Sequence, residues 1–326
     1  MPRRILFLDK GVVSFQSYEP EALKPGFVRI QARTSLISTG TEGICLHRMF
    51  EPGTHWDDWV KYPFKTGYSM VGEVSEVGEG SRFRLGEKVV SRVTHAEDSI
   101  AAETNVMAVP EGMSNDDAAW FALATIGFMG AKAGQFRLGD SVAVVGAGPI
   151  GQMAIRWAVA AGARHAISID TVPARLEMAL QGGATGTIEA TAAEAAGLLA
   201  DACGGELPRV VVDATGHAPV FEQCLKLPRW LGTLVLLGDS GTPSQQRLTL
   251  DVVRRGIQIH GAHIMHETPE WTERNIVELF FDQHQRGRFG LQSLNTHRFR
   301  ADQCVEAFAL TTERRSETMG VLFDWV

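Results

Sequence analysis

Residues Ser141 to Asp170 read SVAVVGAGPIGQMAIRWAVAAGARHAISID, and the order of residue types in this stretch decides the fold. Val142 to Val145 form a short apolar run of the kind that makes a parallel strand buried on both faces. Gly146-Ala147-Gly148-Pro149-Ile150-Gly151 follows and matches G-x-G-x-x-G. Gly146 allows the sharp turn, Gly148 lets a pyrophosphate approach the backbone, and Gly151 lets the next helix pack closely on the strand. Pro149 and Ile150 open that helix, whose unpaired amides would receive the phosphates. It runs through Met153, Ile155 and Trp157 towards Gly162, a C-terminal stop. His165 to Ile169 form the second strand, and Asp170 ends it, 19 positions past Gly151. That is the separation expected of the carboxylate that bonds the adenine ribose hydroxyls. Strand, turn, helix, strand and acid in this order predict a dinucleotide site. Asp170 would repel a 2′-phosphate, so NAD is expected over NADP. Arg175 can bond the ribose or stack on adenine.

Outward from this unit, the strand and helix patterns keep alternating: helix 173–180, strand 187–188, helix 191–202, strand 209–213, helix 221–227, strand 233–237 and a closing strand 256–262. Such alternation predicts a doubly wound parallel sheet with ligands at the carboxyl ends of its strands. Residues 4 to 110 read differently, as short strands punctuated by Pro and Gly, and suggest a small, partly open β-barrel. A helix over 118–133 marks the change. The expected class is therefore α/β, with a first domain over 1–120 completed by 266–326 and a nucleotide domain over 121–265.

Bulk composition bounds the function. Apolar residues make up 44% and charged residues 21% of the 326 positions, ordinary values for a globular protein with room for two cores. A net charge of −7 argues against a nucleic-acid partner. No apolar run reaches the length of a membrane span, and MPRRILFLDKG lacks a leader's apolar core, so no membrane role and a cytoplasmic location are expected. The four cysteines, Cys45, Cys203, Cys224 and Cys304, are far apart and show neither metal nor disulfide spacing.

The order of parts resembles the medium-chain dehydrogenase/reductase superfamily, in which a GroES-like β domain precedes a Rossmann domain. Gly67-Tyr68-Ser69-Met70-Val71-Gly72-Glu73-Val74 through Val77-Gly78-Glu79-Gly80 is similar to the family's G-H-E-x-x-G-x-V…V-G-x-G-V segment, and Arg84 to Val89 to the part that follows. In the zinc-dependent members a Cys, a His and a second Cys or an acid bind the catalytic metal. Set on those motifs, Thr39 falls at or next to the Cys, Tyr68 on the His and Phe121 near the third ligand. None is a thiolate or imidazole, and a phenyl ring binds no zinc. No zinc site is therefore expected. Ile37-Ser38-Thr39-Gly40-Thr41-Glu42 with Gly67-Tyr68 is similar to a zinc-free branch that includes bacteriochlorophyllide dehydrogenase. The resemblance also implies a homodimer joined through strand 256–262, and contacts from Thr125, Thr215, Leu237 and Gly238 to the nicotinamide half of the cofactor.

Without a metal, a placed donor must stabilise charge on the reacting oxygen. Tyr68 stands at a ligand position and is the first candidate; equally, it can merely fill the hole. His95 is the second, as a group that titrates near neutral pH in a stretch that runs beside the substrate in the family; equally, it can be an exposed turn histidine. Thr41 matches the hydroxyl of the family's proton relay, while Ser38 and Glu42 read as structural, Glu42 as a group that can pair with a buried Arg. The spacing from Thr39 to Tyr68 is longer than usual for the family, and the extra residues include Trp56, Asp57 and Trp59. The tryptophans can stack on a small-molecule substrate and Asp57 can bond its hydroxyls, or the loop is only anchored by them. His263 can line the nicotinamide side; His260, His263 and His266 have strand spacing that places neighbours on opposite faces, against a metal cluster. The leading expectation is an NAD-dependent, zinc-free dehydrogenase of secondary alcohols. An enone or quinone reductase and a silent nucleotide-binding protein stand as alternatives.

Overall fold

The computed structural model describes residues 1–325. The chain divides into two compact units, Met1–Ala122 with Leu294–Val326, and Leu123–Ser293.

The first unit contains β1 (Arg3–Asp9), β2 (Val12–Ser17), β3 (Phe27–Ile37), α1 (Thr39–His47), α2 (His55–Trp59), β4 (Phe64–Lys65), β5 (Met70–Val77), β6 (Lys88–Ser91), β7 (Asp98–Ala102), β8 (Val106–Ala108) and α3 (Asn115–Ala118). The chain then passes through α4 (Phe121–Ala133) into the second unit: β9 (Ser141–Val145), α5 (Pro149–Ala160), β10 (His165–Asp170), α6 (Pro173–Gln181), β11 (Gly186–Glu189), α7 (Ala195–Ala202), β12 (Val210–Asp213), α8 (Ala218–Cys224), β13 (Thr233–Leu236), α9 (Leu250–Arg255), β14 (Gln258–Gly261) and α10 (Glu273–Gln285). It returns to the first unit with β15 (Asn295–Arg300), α11 (Cys304–Glu313) and β16 (Gly320–Asp324).

In the first unit a sheet of order β15-β16-β3-β5-β6-β8, with β7 also on β3, carries the long strand β3 at its centre. A smaller sheet, β2-β1-β4, stands apart from it. Alternation in β3 places Val28, Ile30, Ala32, Thr34 and Leu36 inward. Ile5, Phe7, Trp56, Phe64, Phe308 and Phe323 belong to a second, aromatic-rich cluster. The large sheet ends on β15 and β8 and does not close on itself, as a partly open barrel should not.

The second unit's six strands are all parallel, in the order β11-β10-β9-β12-β13-β14. The sheet order reverses at β9, whose neighbours on the two sides are β10 and β12, so the glycine turn after β9 lies at the switch point where such sheets bind ligands. The return was expected from residue 266 but begins at Leu294. α10 buries Ile276, Val277, Phe280 and Phe281, and a ladder of rings holds its segment to the second unit: Phe128 to Trp271 at 4.7 Å, Phe128 to Trp157 at 5.2 Å and Trp157 to Phe289 at 4.8 Å. Strand 256–262 shortens to β14, because α9 ends on Gly256 with φ 65°. Among the described residues no helix is long and apolar enough to cross a membrane.

All four cysteines are buried and unpaired. Burial pushes the Cys203 and Cys304 thiols up to about 11 and those of Cys45 and Cys224 further up. The unfolded chain ionises its thiols near their ordinary 9.0 while the folded chain does not, so the folded state is favoured less as pH rises. The urea midpoint is expected to hold through neutral pH and to fall once pH passes that ordinary value; a midpoint unchanged into the thiol range would contradict this.

Candidate active site

Tyr68 precedes β5 and is partly exposed, but its phenol end is surrounded by protein. Its Oη donates to Ser38 Oγ at 2.5 Å, and Thr41 Oγ1 lies 3.4 Å away. The Arg92 guanidinium sits 5.5 Å from the ring centroid, and Arg92 Nη2 donates to Ala122 O at 3.1 Å. Desolvation pushes the phenol above its ordinary 10.0, while hydrogen bonds with Ser38 and Thr41 and the charge of Arg92 pull the other way. The group is thus a protonated phenol at neutral pH, flanked by two hydroxyls and a fixed cation that would stabilise the phenolate it leaves behind.

His95 is not an exposed turn histidine. It is 0% exposed, because β1 and the segment 66–67 close over it: Ile5 N donates to His95 O at 2.9 Å and His95 N to Thr66 O at 2.8 Å. Its Nδ1 lies 2.8 Å from Ser35 Oγ, which also accepts from Trp325 Nε1 at 2.9 Å. Its Nε2 is 3.2 Å from Glu42 Oε2 but out of line for a hydrogen bond. Glu42 therefore faces a histidine where an arginine was expected. Thr66 Oγ1 donates to the same carboxylate oxygen at 2.6 Å.

Other expected substrate contacts are placed elsewhere. Thr39 is buried in the first turn of α1, and Phe121 is fully buried with its ring centroid 6.0 Å from the Arg92 guanidinium. Trp56 is only 3% exposed within the aromatic cluster, so it anchors the inserted helix α2. Asp57 accepts from Arg48 Nη2 at 2.8 Å and Gly53 N at 3.2 Å, so it fixes the turn before α2. Trp59 alone of the three keeps a large exposed face. His263 is exposed, with its Nδ1 accepting from Met265 N at 3.3 Å. Among the described residues no group of three His, Cys, Asp or Glu is arranged to hold a metal, and the side chains that the resemblance sets on the metal ligands, Thr39, Tyr68 and Phe121, do not fit zinc.

The second unit gathers the cofactor candidates at the carboxyl end of its sheet. Gly146 has φ 89°, and a Cβ there would stand 2.8 Å from Thr215 Cγ2. Gly148 caps α5, Pro149 follows at its first turn with Ile150, and Gly151 lies so close to the strand that a Cβ would be 1.8 Å from Gly146 O. Asp170 accepts from Ala147 N at 2.6 Å and Val172 N at 2.9 Å, with Arg175 Nη1 4.0 Å off. Thr215 donates through N and Oγ1 to Asp213 Oδ1, at 2.8 and 2.6 Å. Gly238 approaches Gly216 N to within 2.2 Å of where its Cβ would be. Leu237 and Thr125 are buried, Leu237 against Gly130. The glycine turn, the helix amides and the strand-end acid fit a dinucleotide.

A family profile described as zinc-binding dehydrogenase matches residues 149–280. L-threonine 3-dehydrogenase of Bacillus licheniformis is 29% identical over 298 residues, covering 78% of this chain and 82% of the relative. Both matches support the medium-chain dehydrogenase/reductase superfamily that the sequence resembles. Among solved members of the superfamily's fold, 2R,3R-butanediol dehydrogenase of Bacillus subtilis superposes with a TM-score of 0.83 at 19% identity, and an alcohol dehydrogenase of Escherichia coli in complex with NADH with 0.83 at 20%, each alignment covering 99% of both chains.

Sequence reasoning missed three parts of these sites. Arg92 offered no motif. Asp213, 2% exposed, is the anchor of Thr215. Ser38 and Glu42 were set aside as structural, although their separation of four is the spacing of one helical turn.

Proposed function

We propose that this chain is an NAD-dependent oxidoreductase that interconverts a secondary alcohol and its ketone without zinc. The observation that carries the reading is Tyr68: a protonated phenol at a family ligand position, hydrogen-bonded to Ser38 and beside Thr41 and Arg92. NAD, when bound, supplies or accepts the hydride. Gly146, Gly148, Gly151 and the α5 amides would hold its pyrophosphate, and Asp170 its adenine ribose, where a carboxylate disfavours the extra phosphate of NADP.

In the reducing direction Tyr68 donates its proton to the carbonyl oxygen as carbon accepts hydride, so ketone, hydride and proton account for the alcohol. Ser38 and Thr41 then hydrogen-bond the phenolate, Arg92 offsets its charge, and Thr41 returns a proton from solvent. In the oxidising direction the same phenolate is the base, and alkaline pH favours it. The relatives' names, a threonine 3-dehydrogenase and a butanediol dehydrogenase, support a secondary alcohol as the substrate class.

Purified protein with NADH or NADPH, offered simple ketones, ketoses, cyclitol ketones and enones, tests this. NADH-linked reduction of a ketone and no reduction of the enones is expected. NADPH-linked turnover confined to C=C bonds, or NADH binding with no turnover across the panel, would contradict it.

A further inference from the structure

Ser38 occupies the N-cap of α1, where a serine hydroxyl ordinarily accepts from an amide two or three residues on. Here it makes no such bond. Glu42 instead holds the Ser38 backbone from within the helix: its Oε1 accepts from Ser38 N at 2.8 Å, while its own amide donates to Ser38 O at 2.9 Å. The Ser38 hydroxyl accepts from the Tyr68 phenol at 2.5 Å.

The same carboxylate is tied to the Tyr68 side. Its Oε2 accepts from Thr66 Oγ1 at 2.6 Å, two residues before Tyr68, and lies 3.2 Å from His95 Nε2. Gly67, between Thr66 and Tyr68, has φ 95°, and a Cβ there would be 2.7 Å from His95 N. Glu42, Thr66 and His95 are each 2% exposed or less. Burying a carboxylate is costly unless it is paired and hydrogen-bonded, and His95 is the one basic group within 4.0 Å of it among the described residues.

We propose that Glu42, braced by Thr66 and His95, is the positioning residue for Tyr68: one carboxylate oxygen holds the Ser38 backbone and the other holds Thr66, two residues before Tyr68, so that the Ser38 hydroxyl and the phenol are fixed against each other. Its catalytic meaning rests on the role given to Tyr68 above, but the contact itself does not. An amide at this position keeps both ties without the charge, since its oxygen accepts from Ser38 N and its NH2 donates to Thr66 Oγ1.

The test uses the full chain with [13Cζ]tyrosine. Three tyrosines give three resonances, and Tyr68 is assigned by its loss in Tyr68→Phe. Ser38→Ala displaces the Tyr68 resonance at neutral pH. Glu42→Ala displaces it in the same direction and by most of the same amount, because Ser38 and Thr66 lose their common tie and the contact between the Ser38 hydroxyl and the phenol loosens. Glu42→Gln leaves it at the wild-type position, and Ser38→Ala with Glu42→Ala gives no more than Ser38→Ala alone. A wild-type resonance in either alanine variant, an equal displacement in Glu42→Gln, or additive displacements would overturn the proposal. If Glu42→Ala does not fold, Glu42→Asp takes its place, since it keeps the charge but is too short to reach Ser38 N. In turnover, Glu42→Ala lowers kcat, Glu42→Gln restores it, and the KM for NADH stays constant. Should the wild type reduce no ketone, the function above fails while the resonances still decide the positioning.

Discussion

Gly151→Ala is expected to abolish NADH binding and to cost the chain at least about 3 kcal/mol of stability, the upper part of the range for overpacking. The added Cβ would sit 1.8 Å from the Gly146 carbonyl oxygen, with Gly146 C at 2.9 Å. Backbone atoms cannot rotate away as a side chain would. Either α5 moves off β9 or the turn opens, and both scatter the amides that would face the pyrophosphate. Gly148→Ala separates the two effects. Its φ is −67°, and nothing lies within 4 Å of an added Cβ, so this variant is expected to melt like the wild type while the methyl obstructs the phosphates and weakens NADH. Fluorescence titration with NADH beside a thermal melt reads both. A Gly151→Ala chain with wild-type affinity would remove the glycine turn from the cofactor site.

Tyr68→Phe is expected to lower kcat for ketone reduction by about 10²–10⁴, the usual worth of a placed proton donor, with NADH affinity unchanged. The substitution deletes one oxygen and keeps the ring beside Arg92, so packing is preserved. Wild-type reduction needs the protonated phenol, whose burial holds it above the ordinary 10.0. The rate should therefore stay level through neutral pH and decline only as pH rises past that value, whereas oxidation should rise in the same range. A phenylalanine variant with wild-type kcat would show that Tyr68 only fills space.

The nucleotide half was readable because its constraints are local. A turn with φ 89° at Gly146 and the helix–strand approach at Gly151 leave little choice of residue, and the buried strands β9 and β10 are continuous apolar runs. The first unit was harder. α1 contains two glycines, and α2 is five residues long; both are held by tertiary packing that propensity does not encode. β15 pairs in parallel with β16 across an intervening helix, and its mixed NTHRFR sequence shows no buried face to read. His95 was misplaced for a related reason. The stretch Thr94-His95-Ala96-Glu97 is polar enough for an exposed turn, yet β1, Gly67 and Trp325 close around it. Glu42 and His95 are 53 positions apart, so no local pattern joins them. Tyr68 and Thr41 stood out from motif order and Ser38 did not; the hydrogen bonds among them depended on how α1 begins.

The central claim is that a phenol, not a metal, handles the oxygen of the substrate. Ketone reduction by protein expressed with zinc and then exhaustively treated with a strong chelator, assayed beside the same protein untreated and with zinc content determined on both, tests it most directly. The account predicts the same NADH-dependent rate before and after treatment, with far less than one zinc per chain in each. One zinc per chain whose removal abolishes the rate, and whose return restores it, would contradict it.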